Sequence, residues 1–211
     1  MKLPRVYPIL DTQLLSAQDC DAGVAAGAWL DGGARIVQFR HKGQWTRQVF
    51  EQVERIAAAC RDRGAMFVVN DRADMAKLLG AGLHVGQDDL PPRDARRLVG
   101  GEALLGYSTH NPRQLEDAAA EPANYLAIGP IYATTSKLHP DPIVGLHGLR
   151  TCRVLCTRPL VAIGGITRET AAAVFDAGAD AVAVIGDLLP ETCTGRNLRR
   201  RMEEWQQLAQ N

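Results

Sequence analysis

The segment LVAIGGITRETAAAVFDAGADAVAVIG, residues 160–186, contains a complete strand–helix–strand unit. Two continuous apolar runs, at 160–165 and 181–186, flank a stretch with helical period over 167–177. Thr167 is a plausible N-cap of that helix, and Gly178 stands where a C′ glycine would end it. Runs that are apolar throughout are typical of parallel strands buried on both faces. The segment therefore predicts one βα repeat of a parallel sheet.

The same kind of apolar run recurs six more times toward the N-terminus. The runs are VYPIL (6–10), RIVQF (35–39), MFVVN (66–70), LHVG (83–86), LLGYS (104–108) and YLAIG (125–129). Residues 45–63 have helical period, and LRRRMEEWQQLAQ at the C-terminus resembles a solvated helix with two i,i+4 pairs, Arg199–Glu203 and Arg200–Glu204. Eight strands with intervening helices predict an α/β fold, a single (β/α)8 barrel domain over residues 1–211. A doubly wound open sheet is the second choice.

Composition excludes several classes of protein. Lys and Arg total 24 and Asp and Glu total 24, so the formal net charge is zero, which argues against a nucleic-acid partner. The hydrophobic fraction of 46% predicts a folded globular protein. No apolar run is long enough to span a membrane, and no signal peptide is evident. Five scattered cysteines indicate reduced thiols, so we expect a cytoplasmic protein. The oligomeric state stays open, with a homo-oligomer among the options.

Polar residues gather where the predicted strands end, which is where a barrel has its active site. They are Gln38, Arg40, His41 and Lys42; Asn70 and Asp71; Gln87, Asp88 and Asp89; Ser108, Thr109 and His110; and Thr134, Thr135, Ser136 and Lys137. Only four of the 24 cations are lysines, and two of those, Lys42 and Lys137, are in this set. A compact ammonium group at such a position can bind phosphate as a point charge.

Two separate regions have the features of phosphate sites. Gly164, Gly165 and Gly186 follow strands seven and eight and precede helices, where backbone N–H groups often bind phosphate. A tight strand-to-helix turn would also explain the paired glycines. Arg40, Lys42 and Lys137 form a second, basic group. Two such regions predict two phosphorylated groups in one pocket.

Asp71 and Asp89 follow neighbouring predicted strands, so their carboxylates can converge. Beside phosphates, such a pair suits Mg²⁺, which favours one or two carboxylates together with phosphate oxygens and water. The sequence supports an alternative equally: Asp71 as a helix N-cap and Asp89 in a turn before two prolines.

The connection over residues 129–147 exceeds the others in length and carries hydroxyl groups, Lys137 and His147. A loop of this length in a compact barrel is typical of a functional lid. His84 lies within an apolar strand, which favours a packed residue over a catalyst, while His110 and His147 stay ambiguous.

Seven segments taken together resemble, in order, the signature segments of the thiamine phosphate synthase family. They are VQFRHK, FVVNDRADMA, GLHVGQDDLP, LLGYSTHN, YLAIGPIYATTSK, VAIGGIT and AGADAVAVIG. The resemblance implies a (β/α)8 barrel transferase that joins 4-amino-2-methyl-5-hydroxymethylpyrimidine diphosphate to 4-methyl-5-(2-hydroxyethyl)thiazole phosphate and releases pyrophosphate.

The resemblance also implies a role for each matching residue. The pyrimidine diphosphate would be held by Gln38, Arg40, Lys42 and Asn70, with Ser108 beside the pyrimidine. Asp71 and Asp89 would hold Mg²⁺, and Lys137 would bind the leaving group. The thiazole phosphate would contact Thr134, Ser136, Gly165, Ile185 and Gly186. The chain departs from the family pattern at His41, where Glu is common, at Ser136, where Thr is usual, and at Gly186, where Ser is usual.

Two other functions fit parts of the pattern. A thiazole tautomerase-like barrel would need no diphosphate site, so it leaves the basic residues and the carboxylate pair without a purpose. A non-catalytic sensor of a phosphorylated ligand would not explain a carboxylate pair beside a phosphate cluster.

Overall fold

Eight parallel strands close into a barrel in the computed structural model, which describes residues 2–134 and 141–210. Each strand pairs with its sequence neighbours, and β8 pairs with β1, so the predicted (β/α)8 fold is confirmed. The strands are β1 (Val6–Asp11), β2 (Ile36–Arg40), β3 (Met66–Asn70), β4 (Gly82–Val85), β5 (Leu105–Thr109), β6 (Tyr125–Ile128), β7 (Leu160–Ile163) and β8 (Ala181–Val184).

Helices surround the barrel and connect its strands. They are α1 (Thr12–Ala17), α2 (Ala22–Asp31), α3 (Arg47–Asp62), α4 (Ala73–Leu79), α5 (Pro92–Val99), α6 (Pro112–Asp117), α7 (Gly145–Leu155), α8 (Ala171–Asp176) and α9 (Gly195–Leu208). Two short 3-10 helices cover Ala118–Ala120 and Gly186–Leu188. Within the described ranges, no helix is both long and apolar enough to cross a membrane.

The strands are apolar throughout because each face meets a different core. Inward side chains such as Tyr7, Val68 and Tyr125 fill the barrel, whereas outward ones such as Phe39 and Leu105 pack beneath the helices. Side chains alternate between the two faces of a strand. Any polar side chain that points inward therefore lies either in the barrel interior or at its open end.

Helix α3 follows the prediction from residues 45–63 closely, and Thr46 caps it by accepting from Val49 N at 3.3 Å. The prediction for α8 was wrong at its start. The helix begins at Ala171, and the N–H of Thr167 is bonded to Thr170 Oγ1 at 2.9 Å in a turn that precedes it. The predicted end is confirmed: Gly178 lies just beyond the helix with a φ of +104°.

Helix α9 is not the solvated helix that its charges suggested. Leu198, Met202 and Trp205 are fully buried, and the Gly32 position at the end of α2 lies against Met202. The predicted pairs Arg199–Glu203 and Arg200–Glu204 do form, at 2.7 and 3.1 Å, on the outer face. The arginine-rich sequence concealed an amphipathic helix that covers α2.

Candidate functional site

Arg40 is the last residue of β2 and forms an ion pair with Asp11, the last residue of β1. The two strands pair in a register that sets these residues side by side. Asp11 is only 2% exposed, and its Oδ1 also accepts from the N–H groups of Gln13 and Leu14. The carboxylate therefore fixes both the guanidinium of Arg40 and the start of α1. Sequence reasoning missed Asp11, although an aspartate directly after the apolar run VYPIL was the available signal.

The structure brings Asp71 and Asp89 together, as their positions after neighbouring strands suggested. Asp89 Oδ2 accepts from Gly86 N at 2.7 Å, and the pKa of Asp89 is raised, first by burial and then by its hydrogen bond with Asp71. Lys42 Nζ lies 2.5 Å from Asp71 Oδ2. The charge of Lys42 lowers the pKa of Asp89 and so offsets part of the rise.

Asp71 is not an N-cap, so that alternative is wrong. Arg72 occupies the capping position of α4 and makes no side-chain cap bond. Asp71 instead has a φ of +65°, a conformation that is uncommon for a residue with a side chain, and its N–H donates to His84 O at 2.8 Å. Asp89 does lie in the predicted turn. Asp89 can be both a turn residue and a member of the carboxylate pair, because its carboxylate accepts from Gly86 N and is also hydrogen-bonded to Asp71.

The described ranges contain no group of three or more His, Cys, Asp or Glu side chains with the spacing of a metal site. The carboxylates of Asp71 and Asp89, which are hydrogen-bonded to each other, nevertheless fit a divalent cation. The cation would relieve the repulsion between the two, and it would take its other ligands from phosphate and water.

Gln38 does not lie at a strand end, contrary to the sequence prediction. It is the central residue of β2, 3% exposed, and its Nε2 donates to Tyr7 Oη at 3.1 Å inside the barrel. Asn70, 7% exposed, ends β3 and is in register with His84. Ser108 is partly exposed on β5, and its Oγ lies 2.8 Å from His84 Nε2.

His84 is buried, as predicted, and it is hydrogen-bonded at both ring nitrogens. Nδ1 lies 2.9 Å from Tyr125 Oη, and Tyr125 Oη lies 2.8 Å from Tyr7 Oη. Burial lowers the pKa of His84 to about 4, so the imidazole is neutral. Tyr7 and Tyr125 are further residues that sequence reasoning did not connect to the site, because they sit at the opposite ends of their strands from the polar clusters.

The glycine loops, residues 164–165 and 186, follow β7 and β8. Gly164 and Gly165 have φ values of +99° and +64°. A Cβ on Gly165 would overlap Ala133 O and lie 2.8 Å from Tyr132 Cβ, so close packing of the β6 loop requires this glycine. The turn therefore requires Gly165, and the paired glycines do not lead directly into α8.

Ile185 and Gly186 lie at the other glycine loop. Gly186 begins the short helix Gly186–Leu188, which is the kind of extra helix that barrels use at phosphate sites. An added Cβ at Gly186 would meet no atom within 4 Å. The next residue, Asp187, accepts from Arg168 Nε at 3.0 Å and from Trp205 Nε1 at 2.9 Å, which ties the two glycine loops to α9.

The long connection after β6 ends earlier than predicted, because α7 begins at Gly145 and His147 is an exposed residue of that helix. Its first part packs on β7, with Ile131 N donating to Ile163 O at 2.9 Å. Thr134 is partly buried at the edge of the described range. Ser136 and Lys137 lie outside the described residues, as do the other positions of the predicted lid from 135 to 140. His110 is bonded through Nδ1 to Gly129 O at 2.8 Å.

At one end of the barrel, two cations and two carboxylates stand beside the carboxyl ends of β2 to β4, and glycine loops follow β7 and β8. This arrangement defines a (β/α)8 barrel of the class that binds phosphorylated small molecules at the open end of its strands.

Comparison with known proteins identifies the family. The model of the thiamine monophosphate synthase family matches residues 6–188. A thiamine-phosphate synthase of Koribacter versatilis (strain Ellin345) is 45% identical over 211 residues, 99% of this chain and 97% of the relative. One of Chloroflexus aurantiacus is 40% identical over 209 residues, 97% of this chain and 95% of the relative. The chain therefore belongs to the thiamine monophosphate synthase family, whose members are transferases of thiamine biosynthesis.

Solved structures agree with this assignment. Thiamine phosphate pyrophosphorylase from Pyrococcus furiosus is similar with a TM-score of 0.83 at 28% identity, covering 98% of this chain and 95% of that one. A barrel described as native KDPGal has a TM-score of 0.74 at 17% identity, with 100% and 96% covered. The second likeness extends to the fold alone.

Proposed function

We propose that the chain joins 4-amino-2-methyl-5-hydroxymethylpyrimidine diphosphate to 4-methyl-5-(2-hydroxyethyl)thiazole phosphate, giving thiamine phosphate and pyrophosphate. One observation carries the proposal of two phosphorylated substrates: a cluster of cations and carboxylates lies at the carboxyl ends of strands β2 to β4, whereas glycine loops follow β7 and β8. Two phosphate-binding regions of different chemistry support two phosphorylated substrates. Family membership supports the reaction that connects them.

The cationic region is the proposed pyrimidine diphosphate site. Arg40, oriented by Asp11, and Lys42, beside Asp71, would bind the diphosphate. Gln38, Asn70 and Ser108 would contact the pyrimidine. Lys137, in the undescribed segment, would bind the leaving pyrophosphate by resemblance alone.

The second region is the proposed thiazole phosphate site. Its residues would be Thr134, Ser136, Gly165, Ile185 and Gly186. The position of Gly186 in the loop after β8 supports this assignment, because barrels often bind phosphate in the loops after strands seven and eight. An added Cβ at Gly186 would meet no atom within 4 Å, so no side chain crowds this position.

Asp71 and Asp89 are the proposed ligands of Mg²⁺. When bound, the ion would neutralise charge on the pyrophosphate. Burial first, and the hydrogen bond with Asp71 second, raise the pKa of Asp89, and a bound cation would stabilise both carboxylates in their ionised form. Lys42 would hold Asp71 in position before the substrate arrives.

The proposed reaction is a dissociative displacement in which the thiazole nitrogen is the nucleophile. The aminopyrimidine donates electrons to the methylene carbon while the carbon–oxygen bond to pyrophosphate breaks. The protein needs no general base, because the attacking nitrogen has a free lone pair. Arg40 and Lys42 would stabilise the departing pyrophosphate, and the two regions together would hold the reactants in line.

We also propose that residues 1–211 form one domain and act in the cytoplasm on small molecules, without a nucleic-acid or membrane partner. The five free cysteines, four of them buried, support a reducing compartment. The balanced charge supports the absence of a nucleic-acid partner.

The test is to incubate the protein with both phosphorylated precursors and Mg²⁺, and to measure thiamine phosphate and pyrophosphate. Formation of both products, lost on addition of a chelator and restored by Mg²⁺, is expected. If neither product forms while a phosphorylated ligand still binds, the synthase proposal fails and the sensor reading replaces it. If both products form equally well with the chelator present, only the proposed role of Mg²⁺ fails, and the synthase proposal stands.

A further inference from the structure

A continuous chain of hydrogen bonds crosses the barrel interior and joins two residues of the proposed pyrimidine site. It runs from Gln38 to Tyr7, Tyr125, His84 and Ser108, with contacts of 3.1, 2.8, 2.9 and 2.8 Å in that order. We call these five residues the buried polar chain. Gln38 and Ser108 lie on β2 and β5, three strands apart around the barrel, so their strands do not pair with each other.

The sequence makes room for this chain in an otherwise apolar core. Its tyrosines lie among Ile9, Ile36 and Val68, where phenylalanine would avoid the burial of hydroxyl groups. A Cβ on Gly106 would overlap the Tyr125 ring and lie 2.5 Å from His84 Nδ1. The glycine in β5 therefore gives space for the stacked rings of His84 and Tyr125, whose centroids are 5.6 Å apart.

All members of the chain are neutral. The ring of His84 is buried and bonded to two hydroxyl groups, and burial raises the pKa of Tyr7 to about 12. Burial also raises the pKa of Tyr125 well above its ordinary value. Each link is therefore a hydrogen bond between neutral groups, and each group has a fixed number of protons to donate.

The donor at one end determines the direction of every link. Gln38 Nε2 can only donate, so Tyr7 Oη accepts from it; Tyr125 Oη, 2.8 Å away, is the acceptor within reach of the Tyr7 proton, and we assign Tyr7 as the donor of that link. Tyr125 then donates to His84 Nδ1, which leaves the imidazole proton on Nε2. His84 Nε2 in turn donates to Ser108 Oγ. The hydroxyl proton of Ser108 is thereby left for a group outside the chain.

We infer that Tyr7, Tyr125 and His84 are positioning residues that fix the hydrogen-bond direction at Gln38 and Ser108, so that Ser108 donates to an acceptor ring nitrogen of the pyrimidine. This inference rests on the proposed function, because it takes Gln38 and Ser108 as pyrimidine contacts. An aminopyrimidine presents donor and acceptor atoms at different edges, so a fixed donor at Ser108 admits the ring in one orientation. That orientation determines where the reactive methylene group faces the thiazole site.

Tyr125→Phe is the variant that interrupts the chain while it keeps the ring. We expect kcat/KM for the pyrimidine diphosphate to fall about tenfold, and the KM for thiazole phosphate to stay within about twofold of the wild type. Tyr107→Phe is the matched control, since Tyr107 precedes Ser108 and its hydroxyl bonds to Gln87, outside the chain. The effect of Tyr125→Phe should shrink at least about threefold in a Ser108→Ala background, because part of it acts through Ser108.

The outcomes separate the inference from the proposed function. Wild-type protein that forms no thiamine phosphate overturns both. If the wild type is active and Tyr125→Phe behaves like Tyr107→Phe, or loses as much activity with Ser108→Ala as without it, only the inference is overturned. Should Tyr125→Phe fail to fold in a thermal melt, Tyr7→Phe breaks the same chain and is judged by the same criteria. An ¹⁵N spectrum of the wild type should give His84 as the Nε2–H tautomer, and the Nδ1–H tautomer would contradict the assigned direction.

Discussion

The two proposed phosphate-binding regions are built by opposite means. The carboxylate–cation cluster, formed by Asp11, Arg40, Lys42, Asp71 and Asp89, uses charged side chains that hold one another in place. The glycine loops, residues 164–165 and 186, use backbone whose shape depends on side chains being absent. Two ion pairs, Arg40 with Asp11 and Lys42 with Asp71, balance most of the charge in the first region, and Asp89 adds a third carboxylate. The second region has no such pairing at the glycines, and its limits are steric.

The largest effect in the carboxylate–cation cluster is expected at Asp71 and Asp89. Asp71→Ala and Asp89→Ala should each lower kcat by about 10³-fold or more, because each removes a proposed metal ligand; Asp71→Ala also leaves Lys42 without its ion-pair partner. Turnover measured across a range of Mg²⁺ concentrations tests this. Asp88→Ala, next to Asp89 but exposed, is the control and should keep wild-type rates. Near-normal Mg²⁺-dependent rates in both site variants would remove the metal assignment.

Asp11→Asn tests whether pairing within the cluster is structural as well as functional. Removing the charge from the buried partner of Arg40 should destabilise the fold by about 3 kcal/mol and raise the KM for pyrimidine diphosphate. Chemical denaturation and two-substrate kinetics measure these effects. Asp31→Asn breaks the exposed pair with Arg63, whose side chains are 50% and 40% exposed, and should change stability by less than about 1 kcal/mol. If the two variants lower the free energy of unfolding equally, burial of the Asp11–Arg40 pair does not add to stability.

His84, which is buried in the barrel, should make the free energy of unfolding depend on pH. Its pKa is lowered from 6.5 to about 4 in the fold, so between these values the unfolded chain binds a proton that the folded chain does not. Stability is therefore full above about pH 6.5 and falls as the pH decreases toward 4, by about 3 kcal/mol in all. The free energy of unfolding of the wild type and His84→Asn, measured from pH 4 to 7, checks this. Between pH 4 and 6.5 the free energy of unfolding should rise with pH less steeply in His84→Asn than in the wild type, by the contribution of one proton. Parallel curves for the two proteins would contradict the lowered pKa of His84.

Two glycines test the steric limits of the second region. Gly165→Ala should destabilise the fold by about 2 kcal/mol or more, because it combines a φ of +64° with overlap of the Ala133 carbonyl. Gly186→Ala should stay within about 1 kcal/mol, since its Cβ would enter open space. Thermal denaturation of the two proteins compares them directly. Similar melting temperatures would mean that the two glycines do not differ as the packing indicates.

The barrel could be predicted from the sequence because its strands are apolar on both faces and its helices have a clear period. The approach of Asp71 to Asp89 was also accessible, since both follow neighbouring parallel strands. Asp11 was missed because its partner Arg40 belongs to a different strand, and only the register sets the two together. The burial of α9 escaped notice because its charges outnumber its apolar residues.

The buried polar chain shows a different limit of the sequence. Tyr7, Tyr125 and His84 have the pattern of ordinary core residues, and the pattern does predict their burial correctly. Their hydrogen bonds run across the barrel between residues as much as 118 positions apart. Periodicity tells which face a side chain occupies, but not which distant side chain meets it there.

The claim that two regions hold two different phosphorylated substrates is tested most directly by following the reaction with ³¹P NMR. With both precursors and Mg²⁺ present, we predict thiamine phosphate and pyrophosphate in a one-to-one ratio, and no pyrophosphate release at a comparable rate when thiazole phosphate is left out. Pyrophosphate released equally fast without thiazole phosphate, or no thiamine phosphate at all, would contradict the account.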